Sequence, residues 1–366
     1  MSKILIFGLI SKHPSRNSGG TAVIIGRLAN AFQRMGHTVE ILMGESGPGH
    51  PLSGTLTEGV TCHHLTEKGK ISIFMALYRF VRKNRPSALL SLDTRANRIA
   101  SWLKRTPGPT VPVWASLHNQ LSENNGALYR RIANRCNGVI AISRGLGDHF
   151  KALSGVSADR IHVACNPAVP TNLSRLAGEA VAHPWFRQGE APVIVTAARL
   201  TAVKDHPTLL YAFAKVRKRI PARLMIIGQG DRKGELVRLT GKLGMEADVT
   251  FTGFMKNPWA HMRHAKLFVL SSAFEGFGLV LVEALSLGVP VVSTDCPFGP
   301  GEILCNGRYG RLVPVGDVDA MADAMVATLE NPLPPSFLKK GAEPFTQEQS
   351  ARRFLSVMGL EENYGG

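Results

Sequence analysis

Residues 267–286 read LFVLSSAFEGFGLVLVEALS, and the order of their parts decides the fold. Leu267 to Leu270 is a short apolar run of strand character, Ser271 to Gly278 is a loop ending in glycine, and Leu279 to Leu287 is an apolar segment interrupted by Glu283. A buried strand feeding a glycine loop and then a helix is the unit from which parallel α/β sheets are built. Glycines let a backbone approach a ligand. A helix opening near Gly278 aims free N–H groups and the positive end of its dipole at an anion, for which a phosphate is the natural guest.

The same pattern extends in both directions. Lys3 to Leu9 reads as a buried first strand; Ser11 to Gly20 is a polar loop. Ile24, Leu28, Ala31, Phe32 and Met35 then repeat at helical spacing up to Gly36, and Thr38 to Met43 is the next strand. A helix near Ile71 to Arg82 follows, with strands at Ala88 to Leu92, Val111 to Leu117 and Gly138 to Ile142. Between Pro167 and Pro192 the pattern decays. A second series runs through Val193 to Ala197, Ala222 to Ile227, Val249 to Thr252, Leu267 to Ser271 and Val289 to Ser293. Two Rossmann-like, doubly wound domains are expected, at 1–168 and 191–344, with a linker at 169–190. Ligands of open α/β sheets sit beyond the carboxyl ends of the strands, so a cleft between the two domains is the expected site.

A chain of 366 residues suits two domains of about 150 to 200 residues each. The 44% hydrophobic and 19% charged content, with 37 glycines and 22 prolines, excludes disordered and collagen-like classes. No apolar stretch reaches the roughly 20 residues of a membrane span, and no cleavage site follows Ile4 to Ile10. A cytoplasmic protein is expected, with peripheral contact at the inner face of the cell membrane. Cysteines 62, 136, 165, 296 and 305 are odd in number, scattered and without C-x-x-C spacing, which fits free thiols. The charge is asymmetric. Residues 1–188 hold 23 basic and 9 acidic residues, against 20 and 18 in 189–366. A basic first half implies an anionic partner.

Arg199 and Lys204 lie just beyond Val193 to Ala197, where two cations suit a diphosphate. Ser18-Gly19-Gly20-Thr21 precedes a helix and can present N–H groups to a phosphate or sugar. His118 ends the strand Val111 to Leu117. Glu275 and Glu283, if both helical, stand roughly 12 Å apart at 1.5 Å per residue. Glycosidase pairs stand about 5 to 9.5 Å apart, so separate hydroxyl-binding roles fit better. Gly228-Gln229-Gly230 with Gly234 departs from dinucleotide spacing. Asp317-Val318-Asp319 reads as a helix start rather than a metal pair.

Glu275-Gly276-Phe277-Gly278 with Glu283, Arg199 with Lys204, Gly19-Gly20 and Gly228-Gln229-Gly230 together resemble glycosyltransferase family 4, retaining enzymes of the GT-B fold. Gly301-Glu302-Ile303-Leu304, and Asn306-Gly307 through Gly310-Arg311-Leu312-Val313-Pro314, match the family's segment before its last helices. The resemblance implies a GT-B pair of domains with a C-terminal helix, within 345–366, crossing back to the first; Thr346 to Met358 is the corresponding stretch. It implies a donor set of Gly19, Gly20, Arg199, Lys204, Glu275, Gly276, Phe277, Gly278, Leu279 and Glu283, and a catalytic set of Arg199, Lys204, Glu275 and His118. Glu283 would take the ribose, Glu275 a sugar hydroxyl, and Arg199 and Lys204 the diphosphate. Asn119 follows His118 where the family often has an acid, and Asp205-His206 follow Lys204 where many relatives carry glycine. No metal or other cofactor is implied beyond the nucleotide sugar. Thr294 through Glu302 resembles the branch that builds bacterial surface polysaccharides, favouring a UDP-sugar donor. An anionic lipid-linked or glycan acceptor, such as a lipopolysaccharide core, would meet the basic first domain. A GT-B-type epimerase or phosphorylase is the rival enzyme class. A nucleic-acid binder is disfavoured by 7% aromatic content and the lack of any recognised module.

Overall fold

The computed structural model describes residues 1–9, 18–44, 52, 56–108, 110–118 and 121–361. It divides into two units, Met1–Pro167 with Gln347–Gly366, and Ala168–Thr346.

The first unit is built on strands β1 (Lys3–Gly8), β2 (Thr38–Gly44), β3 (Val60–Leu65), β4 (Ala88–Ser91), β5 (Val113–Leu117), β6 (Gly138–Ala141) and β7 (Ile161–Val163). They form one sheet in the order β3-β2-β1-β4-β5-β6-β7, with every neighbouring pair parallel. Ile4, Leu5, Ile6 and Phe7 are fully buried because β1 lies between β2 and β4 with both faces covered, which is why it reads as a continuous apolar run. The long helix Ser18–Arg34 carries the chain from β1 to β2 and buries Ile25, Leu28 and Phe32.

The second unit repeats the plan with β8 (Val193–Ala197), β9 (Arg223–Ile227), β10 (Val249–Gly253), β11 (Leu267–Leu270), β12 (Val291–Thr294) and β13 (Arg311–Val313), ordered β10-β9-β8-β11-β12-β13 and again parallel. Its core gathers Ile194, Leu224, Ile226, Val269 and Val292 from the sheet against Leu209, Phe213 and Met325 from helices. The two doubly wound sheets are as expected.

Three strands were not anticipated. β3 and β7 are edge strands with half-exposed residues, and β13 is three residues long at the other sheet's edge. Residues 169–190, expected as a linker, are part of the second unit. There Leu173–Ala177 is helical and buries its two terminal residues, and Asn257 Nδ2 donates to Leu176 O at 2.7 Å. The chain enters and leaves this unit side by side: Ala168 N donates to Phe345 O at 3.0 Å, and Val169 bridges Thr346. The last helix, Gln347–Met358, belongs to the first unit, where Phe354 and Leu355 are buried and Arg34 Nη2 donates to Gln347 Oε1 at 2.8 Å.

Asp317 caps the helix Val318–Glu330, accepting from Ala320 N at 2.9 Å, so the acidic pair there is a helix start. Asp317→Ala is expected to cost about 1 kcal/mol of stability, read as a lowered urea midpoint with an unchanged slope.

Candidate donor site

In the second sheet, β8 and β11 are neighbours, but the chain leaves them in opposite directions, towards β9 and towards β12. Loops at the carboxyl ends of two such strands diverge and leave a crevice. β8 leads into Ala198 to Asp205, and β11 into Ser271 to Gly278, so the sequence's candidate cations and its glycine loop start from adjacent strands.

The first loop is set by backbone bonds. Ala198 N donates to Ile227 O at 3.0 Å and Leu200 N to Gln229 O at 3.0 Å, leaving Arg199 between them with its side chain exposed. Gly228 and Gly230 make this approach possible, since a Cβ would stand 1.9 Å from Ala198 O at the first and 2.3 Å from Leu200 O at the second. Gly228-Gln229-Gly230 thus has a role that its failed dinucleotide spacing hid. A 3₁₀ turn, Ala202–Lys204, then presents Lys204. Asp205 takes the left-handed conformation (φ 40°) and caps the next helix, Thr208 Oγ1 donating to its Oδ2 at 2.6 Å.

The two loops are tied together. Ala273 N donates to Val203 O at 2.8 Å and Ser271 Oγ to Lys204 O at 2.9 Å. Lys204 Nζ reaches Glu275 Oε1 at 2.5 Å, and Ser272 Oγ donates to the same oxygen at 2.7 Å. Glu275 and Glu283 are each only 8% exposed. The helix Leu279–Ser286 begins after Gly278, whose φ of 99° favours glycine, and Glu283 is on its buried side with Val282 and Ala284. Phe277 spends its ring on the core, packed edge-on against Phe345 at 5.4 Å, so only its backbone is left to offer a ligand. Gly276 and Leu279 flank it, partly exposed. Across from this loop Gly299 packs so closely that a Cβ would stand 1.8 Å from Phe277 O. Cys296 lies beside Glu275 and Lys204; burial above all, then the Glu275 carboxylate, push its thiol up to about 12, so it stays protonated and inert.

In the first unit, Gly19 and Gly20 stand in the first turn of Ser18–Arg34, and no described atom would meet a Cβ on Gly20 within 4 Å. His118 directly follows β5, with Nε2 2.9 Å from Ser116 Oγ and a buried Nδ1 that meets no described partner. Burial lowers its pKa to about 3. Asn119 lies outside the described residues. Two side chains at these strand ends escaped the sequence reading. Asp93 binds the β1 and β4 exits together, accepting from Leu9 N at 2.6 Å and Ala96 N at 2.8 Å. His206 is buried with neither ring nitrogen hydrogen-bonded to a described residue, and burial, reinforced by Lys204, lowers its pKa to about 4. Among the described residues, no three His, Cys, Asp or Glu side chains could hold a metal, and no helix is long and apolar enough to cross a membrane.

Residues 18–171 match the family model described as Glycosyltransferase Family 4, and residues 182–343 match the model described as Glycosyl transferases group 1. The chain belongs to this glycosyltransferase family. Among its relatives, the Campylobacter jejuni N-acetylgalactosamine-N,N'-diacetylbacillosaminyl-diphospho-undecaprenol 4-alpha-N-acetylgalactosaminyltransferase is 34% identical over 138 residues, 38% of this chain and 37% of that protein. The Escherichia coli lipopolysaccharide 1,6-galactosyltransferase is 26% identical over 252 residues, 66% of each. The matched stretches span 37% and 66% of these relatives, less than two thirds of each. The crystal structure of Anabaena HepE in complex with UDP and glucose matches with a TM-score of 0.77 at 20% identity, covering 98% of this chain and 100% of that one, which establishes the GT-B fold.

His118 and His206 both titrate below the usual 6.5 when folded. From pH 6.5 downwards the unfolded chain therefore binds protons first, and stability falls as the pH drops towards 4 and 3. Each group adds a slope of up to about 1.4 kcal/mol per pH unit in that window. Urea unfolding at a series of pH values is expected to show this acid limb, and His206→Leu to make it shallower between pH 6.5 and 4.

Proposed function

We propose that the chain is a retaining glycosyltransferase that moves a hexose or N-acetylhexosamine from a nucleotide sugar, UDP-linked, to a lipid-linked or polysaccharide acceptor. The observation that carries this reading is the meeting of Lys204 and Glu275 at the carboxyl edge of β8 and β11, beside the start of Leu279–Ser286. A carboxylate suits a sugar hydroxyl, and a cation beside a helix N-terminus suits a diphosphate. Arg199 and Lys204 would hold the diphosphate, Glu275 a sugar hydroxyl, the backbone at Gly276 to Leu279 the sugar and phosphate, and Glu283 the ribose. His118, Gly19 and Gly20 are the first unit's proposed donor contacts.

The proposed reaction is a front-face substitution. The bond from the sugar's anomeric carbon to the phosphate oxygen breaks, and a bond to the acceptor hydroxyl oxygen forms on the same face. The hydroxyl proton passes to the departing phosphate. The protein supplies no nucleophile; it places fixed positive charge where the leaving group grows more negative and holds the substrates in line. The HepE complex with UDP and the lipid-diphosphate and lipopolysaccharide substrates named for the relatives support this choice of donor and acceptor class.

The proposed acceptor is met at an anionic membrane surface. On the helix Lys70–Asn84, whose Ile73, Leu77 and Val81 face inward, Ile71 is 73% and Met75 40% exposed, in line with exposed Arg79 and Arg82. That stripe suits an interfacial contact.

Purified protein given a panel of UDP-, GDP-, ADP- and dTDP-sugars, with and without lipid-diphosphate or glycan acceptors, is expected to release one nucleotide in an acceptor-stimulated manner that Glu283→Ala abolishes. No release and no nucleotide binding would overturn the reading. Lys204→Ala is expected to lower turnover roughly 100- to 1,000-fold with the fold intact, and near-normal turnover would overturn the role given to Lys204. Anionic vesicles are expected to bind the protein at low salt and release it as salt rises; no binding at low salt would remove the membrane contact.

A further inference from the structure

Glu275 uses its two oxygens unequally. Oε1 accepts from both Lys204 Nζ and Ser272 Oγ, at 2.5 and 2.7 Å, whereas Oε2 accepts from no described residue and is not buried without a partner. Lys204 and Ser272 differ as donors. Lys204 ends a long flexible chain and carries the charge a diphosphate attracts. Ser272 is fully buried, its side chain is short, and its own carbonyl is pinned by Thr294 Oγ1 at 2.6 Å. One donor can leave the carboxylate and the other cannot.

We infer that Ser272 is a positioning residue for Glu275, keeping Oε1 hydrogen-bonded and Oε2 aimed at the donor sugar when Lys204 turns from the carboxylate to the diphosphate. The inference rests on the donor reading above and adds to it an order of events. A diphosphate without a sugar needs Lys204 but not an oriented Glu275, so Ser272 matters only once a sugar is attached. Without Ser272, Lys204 would be left as the sole group orienting the carboxylate, and drawing it away would leave a buried, unanchored charge beside the sugar.

The test separates binding of UDP from that of UDP-glucose in wild type and in Ser272→Ala, Ser272→Thr and Ser272→Cys, by calorimetry. Loss of a hydrogen bond to a charged group corresponds to about a 10- to 100-fold change. In Ser272→Ala the affinity for UDP-glucose is expected to fall by about that factor while the affinity for UDP stays within about twofold. Ser272→Cys, similar in size but a weak donor, is expected to behave like the alanine variant, and Ser272→Thr, which keeps the hydroxyl, to recover most of the loss. A change of equal size for UDP and UDP-glucose would mean that Ser272 only supports the loop, and would overturn the inference. An unchanged UDP-glucose affinity in Ser272→Ala and Ser272→Cys would overturn it too. Wild-type protein binding neither ligand would instead strike the UDP-sugar reading beneath it, a failure distinguishable from the other two.

Discussion

The contact between Lys204 and Glu275 joins two loops that belong to different strands, and much of the second unit is arranged so that it can form. Each partner is a charge in a partly closed place. Removing one would strand the other, which is the costly case for buried pairs. The surroundings answer this with hydrogen bonds rather than further charges: Ser272 Oγ on the carboxylate, Ser271 Oγ on the Lys204 carbonyl, and the Ala273 to Val203 backbone bond between the loops. The apolar side chains that follow, Leu281, Val282 and Leu285, anchor the helix from which Glu283 projects. The site therefore stands on the core and is stiffened by it.

Close backbone approach is the second constraint. At Gly228, Gly230 and Gly299 a methyl group would collide with a carbonyl oxygen, and in each case the carbonyl belongs to a loop carrying a candidate donor residue. These glycines let strand-end loops pack against one another. The first unit solves the corresponding problem with a side chain, Asp93 accepting from the backbone at the exits of both β1 and β4. Both devices hold loops at the point where strand order reverses.

Legibility in the sequence followed burial. β1 and β8 are central strands covered on both faces, and their apolar runs declare them. β3, with Cys62, His63 and His64, and the three-residue β7 lie at or near an edge of the sheet, where half-exposed positions blur the pattern. The stretch 169–190 looked like a linker because its prolines and glycines break periodicity, yet the short helix Leu173–Ala177 is anchored by two buried residues and by Asn257, a partner far along the chain. At the site, Arg199, Lys204 and Glu275 could be picked out because charges stood in the loops after strands, and Glu283 because it interrupts an apolar run. Ser272 and Asp93 could not, since a serine or aspartate near a strand end is ordinary until its partner is known. His206 could not either, because its burial depends on packing.

From local pattern alone, the sequence determines that strands and helices alternate twice over, that a glycine loop precedes the helix at Leu279, and that acid and cation candidates fall at strand ends. Periodicity of two or of 3.6 residues is a property of neighbours in the chain, so these features survive without a structure. Only the tertiary structure decided that β8 and β11 lie side by side, bringing Lys204 and Glu275, 71 residues apart, to 2.5 Å. Which strands pair depends on how the whole sheet buries its two faces, and no local segment carries that information.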